Sequence, residues 1–195
     1  VPMVGTSCTN PLVTQGKKFS FRVCFIDPFQ GAGAATYAYK DLKLKTAALL
    51  VDISNDYSVG LASFFTKSFT KLGGQIVANL KYQAGDQDFT AQLTEIASKK
   101  PDVLFIPSYF AEGAIIMKQV KELGAKFQVM GDDAMDNPQI VEIGGAAVEG
   151  FVHCAGAVHV LPARSAGLAA VLESLNVNYV SAQQIISTLL KKRAN

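Results

Sequence analysis

The chain has 195 residues, 49% of them hydrophobic and only 17% charged, with a formal net charge of +2 at pH 7. That balance excludes a disordered segment and fits a sheet covered on both faces, in one good core or two small ones. The small net charge gives no case for nucleic acid or an acidic membrane surface, and no apolar run approaches the length of a membrane span.

Pro2, Gly5, Asn10-Pro11 and Gly16 punctuate residues 1–18, which read as loop. Phe19 to Ile26 is mixed apolar and reads as a short strand. Gln30 to Leu42 reads as a helix rich in Ala and Gly, with Ala34, Ala35, Ala38 and Leu42 on one face. Residues 46–52 then form an apolar run ending in Asp52, without alternation, as in a parallel strand covered on both faces. The polar loop after it carries Asp52, Ser54, Asn55, Asp56 and Tyr57. A helix over 58–72 follows, with Leu61, Phe64, Phe65, Phe69 and Leu72 at helical spacing and Gly73-Gly74 as its stop.

The same rhythm repeats downstream. Gln75 to Tyr82 is a strand, and Asp88 is the expected N-cap of a helix with Phe89, Leu93, Ile96 and Ala97 inward, closing at Lys99-Lys100-Pro101. Asp102 to Pro107 is a third strand, Ala111 to Leu123 a third helix stopped by Gly124, and Phe127 to Met130 a fourth strand. A short helix around Pro138 to Ile143 leads to a fifth strand near Val148 to Val152. This alternation predicts an α/β fold: a single doubly wound, mostly parallel sheet with helices on both faces, flavodoxin-like, in one domain over 1–195. In the tail, Ala163 to Leu175 reads as helix, Val177 to Val180 as strand and Ser181 onward as a capped helix. Residues 153–195 therefore read as a helix–strand–helix unit completing the same sheet.

Cys8, Cys24 and Cys154 lack metal-ligand spacing and leave one thiol over in any disulfide scheme, so buried free thiols are expected. Lys191-Lys192-Arg193 sits where cations favour a helix C-terminus. Four constellations bear on chemistry. Gly31-Ala32-Gly33-Ala34-Ala35-Thr36, with Asp52 ending the next strand, partly matches a dinucleotide fingerprint. Thr36 stands at the third glycine, however, and Asp27 to Gln30 replaces the tight turn, so a small-residue helix face packed on a sheet is preferred. Asp132, Asp133 and Asp136 with Asp52 could hold a hard divalent cation, yet the third strand ends in Pro107-Ser108 and offers no carboxylate to accept a phosphoryl group; solvated loop acids and helix caps are the preferred reading. His153 and His159 are the only histidines, and Cys154 beside the first points to the opposite face of a strand. With no nucleophile elbow and no phosphate-cradling loop either, no enzyme is expected. Last, Asp27, Asp52, Tyr57, Tyr109 and Asp133 stand near loop positions, where tyrosines pack an apolar ligand part and carboxylates hold an ammonium. Ordinary exposed loop chemistry accounts for these residues equally well.

The run from Pro2 to Phe151 resembles part of a type I periplasmic binding protein, of the branched-chain amino-acid class of ABC-transporter receptors. The matching pieces are Pro2-Met3 with Thr9-Asn10-Pro11, then Phe21-Arg22 with Gln30-Gly31, the Asp52, Tyr57, Gly60 loop and Leu72-Gly73-Gly74. Gly85-Asp86-Gln87-Asp88-Phe89, Pro101-Asp102-Val103, Gln119 with Leu123-Gly124, Met130-Gly131-Asp132-Asp133 and Val148-Glu149-Gly150-Phe151 continue the series.

The resemblance implies two α/β lobes hinged to close on an amino acid, without a cofactor or a metal. It places Ser7 and Thr9 at the ligand's carboxylate and amine, and Asp27 at a polar position beside the crossover into the second lobe. It makes Tyr57 and Tyr109 aromatic walls and Asp133 the acid on the α-ammonium. It also implies that residues 1–152 are essentially the second lobe and that the tail 153–195 is unmatched, as in a fragment or an engineered chimera. The implied function is non-enzymatic amino-acid binding, weak or absent in a chain of this length. The alternatives are a ligand-free engineered or recombined flavodoxin-like scaffold and, more distantly, a nucleotide- or flavin-binding protein. Expected partners are a small-molecule amino acid and, for the full-length parent, an ABC permease, with no nucleic acid and no membrane insertion. The parent family is periplasmic; no basic and apolar leader opens this sequence, so the chain as it stands is expected in the cytoplasm.

Overall fold

The computed structural model describes residues 1–148. The tail expectations, including those for Cys154, His153, His159 and Lys191 to Arg193, lie outside the described residues. So does most of the strand expected near Val148 to Val152, and Val148 itself is not in a strand. The chain falls into two compact units, Val1–Pro107 with Lys126–Met130, and Ser108–Ala125 with Gly131 onward.

The first unit is built on a four-stranded parallel sheet. Its strands are β3 (Thr46–Asp52), β4 (Gln75–Tyr82), β5 (Val103–Phe105) and β6 (Gln128–Met130), in the order β4-β3-β5-β6. β3 lies between β4 and β5, and every residue after Thr46 is buried. Its unbroken apolar run fits only such a position, because successive side chains point to opposite faces and both faces are covered. On one face, Ala47, Leu49 and Val51 join Val103 and Phe105 of β5. They pack against Leu61, Ala62, Phe65 and Phe69 of α2 (Asp56–Lys71) and Ala35 of α1 (Asp27–Thr36). Phe65 stacks on Phe105 with ring centroids 4.2 Å apart and on Phe69 at 5.4 Å. Burial of each such ring contributes about 2–3 kcal/mol. Ala48, Leu50, Leu104 and Ile106, alternate in sequence, are buried as well. α3 (Thr90–Ser98) buries Leu93 and Ile96. Tyr82 at the end of β4 meets Phe89 edge-on at 5.2 Å.

Local chemistry sets the boundaries. The Asn55 side chain accepts the Tyr57 N–H at 2.9 Å and caps α2 two residues before the expected start, and Gly73 ends that helix with φ of 99°. Asp88 accepts the Thr90 N–H at 2.9 Å, so it caps α3 as expected from one position further out. At the other end of the sheet, one oxygen of Asp102 accepts the N–H groups of Lys45 and Thr46, both at 2.8 Å, pinning the entry of β3 beside that of β5. These two backbone hydrogen bonds hold the Asp102 carboxyl below its usual value of 3.8.

Three expectations change. The helix expected from Gln30 begins at Asp27, with Pro28 in its first turn. It ends at Thr36 and continues as one wider turn, Tyr37–Asp41. Residues 1–18 are not all loop. β1 (Met3–Gly5) pairs in parallel with β2 (Ser20–Arg22), Val4 opposite Phe21, in a two-stranded sheet distinct from the larger one. A three-residue strand leaves no periodicity to read, so the single sheet expected becomes two among the described residues. Cys8 is exposed and Cys24 half-buried, both free, because they flank this small sheet and not the core.

Gly31 and Gly33 lie inside α1 and not in a turn ahead of it, so they cradle no phosphate. Gly31 faces a helix and not a sheet: a Cβ there would lie 2.7 Å from Phe64 Cβ and 2.8 Å from the Phe65 nitrogen of α2. The missing side chain is what lets α1 and α2 approach.

In the second unit, α4 (Phe110–Glu122) packs against α5 (Gln139–Gly144), burying Ala114, Ile116, Val120, Ile140 and Val141. Met135, in the 3-10 turn Asp133–Met135, is buried against Gly113 and Gly131, whose lack of side chains makes room for it.

Gly31→Ala is expected to destabilise by about 1–3 kcal/mol through overpacking. Gly33→Ala, with open space around it, should be neutral or stabilising by up to about 1 kcal/mol. Urea midpoints at constant slope check the pair, and equal effects would refute the close approach. For Asp102, the folded-state value lies below the unfolded one. Its contribution is therefore complete at neutral pH and is lost as pH falls through the carboxylate range. Asp102→Asn should cost about 1 kcal/mol at pH 7, the low end for a largely exposed acceptor. That gap should close toward pH 2; a gap constant with pH would be evidence against the assignment.

Candidate functional site

The loop leaving β3 is closed on itself. Asp52 is buried, and one of its oxygens accepts both the Ser54 N–H at 2.9 Å and the Ser54 hydroxyl at 2.6 Å. Ser54 Oγ in turn accepts the Ala84 N–H at 3.2 Å, and the Ile53 N–H donates to the Tyr82 carbonyl at 3.0 Å. Asp52 is thus a turn-forming residue that ties two strand-end loops together, and neither a metal ligand nor a rim carboxylate. Tyr57, in the first turn of α2, is half-buried against the core cluster.

Residues 8–14 reach the same end of α2. Arg22 at the end of β2 holds them: its Nη1 donates to the carbonyls of Cys8, Thr9 and Asn10, each at 2.9 Å. Its Nη2 donates to the Pro11 carbonyl at 3.0 Å and to Thr14 Oγ1 at 2.6 Å, and Nε donates to the same hydroxyl at 3.2 Å. A planar guanidinium with five N–H donors can gather carbonyls in this way; an ammonium cannot. Asn10 caps the turn Pro11–Val13 and donates from Nδ2 to the Asp56 carbonyl at 3.4 Å. The Thr9 carbonyl also accepts the Asp27 N–H at 3.1 Å.

The structure therefore gathers Thr9, Asp27 and Tyr57 around one end of the first unit. Thr9 is 4% and Asp27 0% exposed, so Asp27 is a buried first-turn residue of α1 and not the loop-rim acid expected. The sequence hides this because the helix signal is weak before Gly31, whereas α1 in fact begins at Asp27 with Pro28 in its first turn. Ser7 is exposed on the bend that precedes Cys8.

The second unit carries Tyr109 and Asp133. Ser108 is buried; its N–H donates to Asp132 Oδ2 at 2.9 Å and its hydroxyl to the Tyr109 carbonyl at 2.8 Å. The other Asp132 oxygen caps the Asp133–Met135 turn through the Ala134 N–H at 3.1 Å. One carboxylate thus holds the two loops side by side, and Tyr109 and Asp133, each next in sequence to a partner in that bond, are left exposed. The cation reading of Asp132, Asp133 and Asp136 is not supported: among the described residues no group of three acidic, Cys or His side chains is placed to hold a metal. Arg22, Asn10, Ser54, Ser108 and Asp132 are organising residues that the sequence does not mark as such. All five work through main-chain groups brought together by folding, which leaves no sequence spacing to recognise.

A parallel α/β lobe with polar and aromatic side chains on its strand-end loops, and among the described residues no nucleophile paired to a base, defines the class of a ligand-binding lobe. A family model described as periplasmic binding protein matches residues 1–189. The chain belongs to the periplasmic binding protein family. That match runs through residues 153–189, beyond the stretch that carries the resemblance, and gives a chimeric origin no support.

A Leu/Ile/Val-binding protein of Rhizobium johnstonii is 33% identical over 153 residues, covering 78% of this chain and 41% of that relative. A leucine-specific-binding protein of Salmonella typhimurium is 28% identical, over 77% and 41% respectively. Among solved structures, a leucine binding protein of Thermotoga maritima superimposes with a TM-score of 0.76 at 50% identity, covering 77% of this chain and 43% of that one. A branched-chain amino acid transporter substrate binding protein of Streptococcus pneumoniae, in complex with isoleucine, gives 0.70 at 32% identity, over 75% and 41%. The chain spans about two fifths of the length of the curated relatives it matches.

Arg22→Lys keeps the charge and loses the fork. Amide exchange at Asp27, whose N–H donates to Thr9, should accelerate by at least about tenfold, with the Ile106 amide unchanged. Equal protection in both proteins would refute the role given to Arg22.

Proposed function

We propose that this chain is a non-enzymatic lobe of an amino-acid receptor serving an ABC transporter. Residues 1–195 act as one α/β domain, residues 1–152 forming the lobe and the tail completing it. The observation that carries the reading is the exposed pair Tyr109 and Asp133, presented on two loops held by Ser108 and Asp132. An exposed carboxylate suits an ammonium, and a tyrosine suits an aliphatic side chain while keeping a hydroxyl for a polar group. Tyr57, Thr9, Ser7 and Asp27 are the remaining ligand-side residues in this reading, Asp27 through its place beneath the Thr9 segment. The relatives named for leucine, isoleucine and valine make branched-chain amino acids the first ligands to test. The permease partner and the periplasmic location belong to the whole receptor. No cofactor enters.

Binding is weak in this reading. A cleft buries most of a small ligand from both sides, and a chain two fifths of the relatives' length supplies part of those contacts. A loss of about 4 kcal/mol carries micromolar affinity to millimolar. Titration with leucine, isoleucine and valine, followed by calorimetry and by amide shifts in NMR, should give millimolar binding with shifts at Tyr109 and Asp133. Asp133→Asn should weaken it about tenfold or more. A folded chain showing neither heat nor shifts with any of the three would favour a ligand-free scaffold. Bound flavin or nicotinamide absorbance in the purified protein would favour the nucleotide reading.

A further inference from the structure

Cys8 and Cys24 lie in one small closed ring of backbone. Residues 5–9 and 23–27 run side by side, joined at one end by the Val23 N–H donating to the Gly5 carbonyl at 3.1 Å. At the other end the Asp27 N–H donates to the Thr9 carbonyl, also at 3.1 Å. Both cysteines fall between these ties. Arg22 narrows the ring further, because its Nη1 holds the Cys8 carbonyl at 2.9 Å while Cys24 follows it by two residues.

The Cys8 side chain also turns back along this ring. A Cβ built on Gly5 would lie 3.2 Å from both Cys8 Cβ and Cys8 Sγ, so the thiol sits over Gly5. Gly5 is the register partner of Arg22, and register partners of a parallel pair project side chains to the same face. Cys24 lies two positions past Arg22, in the bend that follows β2. Both thiols are free, Cys8 exposed and Cys24 half-buried, so a small oxidant can reach the first and the second can follow. Residues 6–7 and 23–24 are bends outside the strands, where backbone adjustment toward disulfide geometry breaks no ladder hydrogen bond.

We propose that Cys8 and Cys24 form a redox-active dithiol, closed to an intramolecular disulfide by a low-molecular-weight disulfide such as glutathione disulfide. The Cys8 thiol loses its proton to solvent, and its thiolate attacks one sulfur of glutathione disulfide. That breaks the S–S bond and releases one glutathione thiolate. The Cys24 thiol then gives its proton to solvent, and its thiolate attacks the Cys8 sulfur of the mixed disulfide, forms the Cys8–Cys24 bond and releases the second glutathione thiolate; the two released thiolates take up two protons from solvent. The protein dithiol is oxidised by two electrons, and glutathione disulfide is reduced to two glutathione thiols. The bridge ties the segment bearing Ser7 and Thr9 to the entry of α1. It does not depend on amino-acid binding.

The test uses the folded wild-type chain, oxidised with glutathione disulfide, alkylated and digested with trypsin. Cleavage after Lys17, Lys18 and Arg22 separates the two cysteines. The expected product is peptide 1–17 joined to peptide 23–40, with Cys154 alkylated. In Cys24→Ser, glutathione should remain on Cys8. Stable glutathione on Cys8 of the wild-type chain, a bridge to Cys154 or between chains, or two alkylated thiols after oxidation would each overturn the proposal. A Cys154→Ser chain that still yields the joined peptides confirms that the pair closes on its own.

Discussion

Double burial of β3 is the constraint on which the first unit depends. A strand whose every residue past Thr46 is covered needs a partner strand along each edge and a layer of side chains on each face. β4 and β5 supply the edges. Phe65 and Phe69 of α2, with Phe105 of β5, supply the aromatic part of one layer. The ends of the strand are polar and are satisfied close by: the Asp102 carboxylate accepts the amides that open it, and Ser54 satisfies the aspartate that closes it. The approach of α1 follows from the same requirement. Only a residue without a side chain at position 31 lets that helix settle against α2 and present Ala35 to the core.

A different force organises the end of the unit that bears Thr9 and Tyr57. Little apolar area is buried there, and Phe21 and Val23 stay exposed. One guanidinium instead collects the carbonyls of residues 8–11. Main-chain carbonyls in a loop must find donors, and a fork that satisfies four of them fixes the path of the segment. The positioning work thus falls to Arg22 and Asn10, which leaves the hydroxyl of Ser7 exposed. The second unit uses the same division of labour with the opposite sign. The Asp132 carboxylate accepts from two loops, and its neighbours Asp133 and Tyr109 stay at the surface. In both places a charged side chain is spent on the backbone, and the adjacent side chains are presented to solvent.

This division explains what was legible in advance. The apolar run of residues 46–52, the helical spacing of Leu61, Phe65 and Phe69, and the Gly73 stop are local patterns, and the structure reproduces them to within two residues. The parallel α/β character follows from their alternation. The ordered series of short motifs pointed to the family, because their order and spacing together are more specific than any single motif. Tyr109 and Asp133 were legible as loop residues for the same reason. Asp27 was not, since its burial depends on where α1 begins and on the Thr9 carbonyl above its amide.

The sequence by itself determined the strands of the larger sheet, the helices between them and which strand is buried on both faces, because hydrophobic periodicity and stop residues act within a few positions of one another. Only the tertiary structure decided the order β4-β3-β5-β6, the separate pairing of β1 with β2, and the placement of Gly31 against a helix. It alone decided, too, that Asp52 and Asp132 serve the backbone while Asp133 stays exposed. Those outcomes rest on hydrogen bonds and close approaches between residues far apart in the chain. For such contacts the residue types are permissive, and the fold makes the selection.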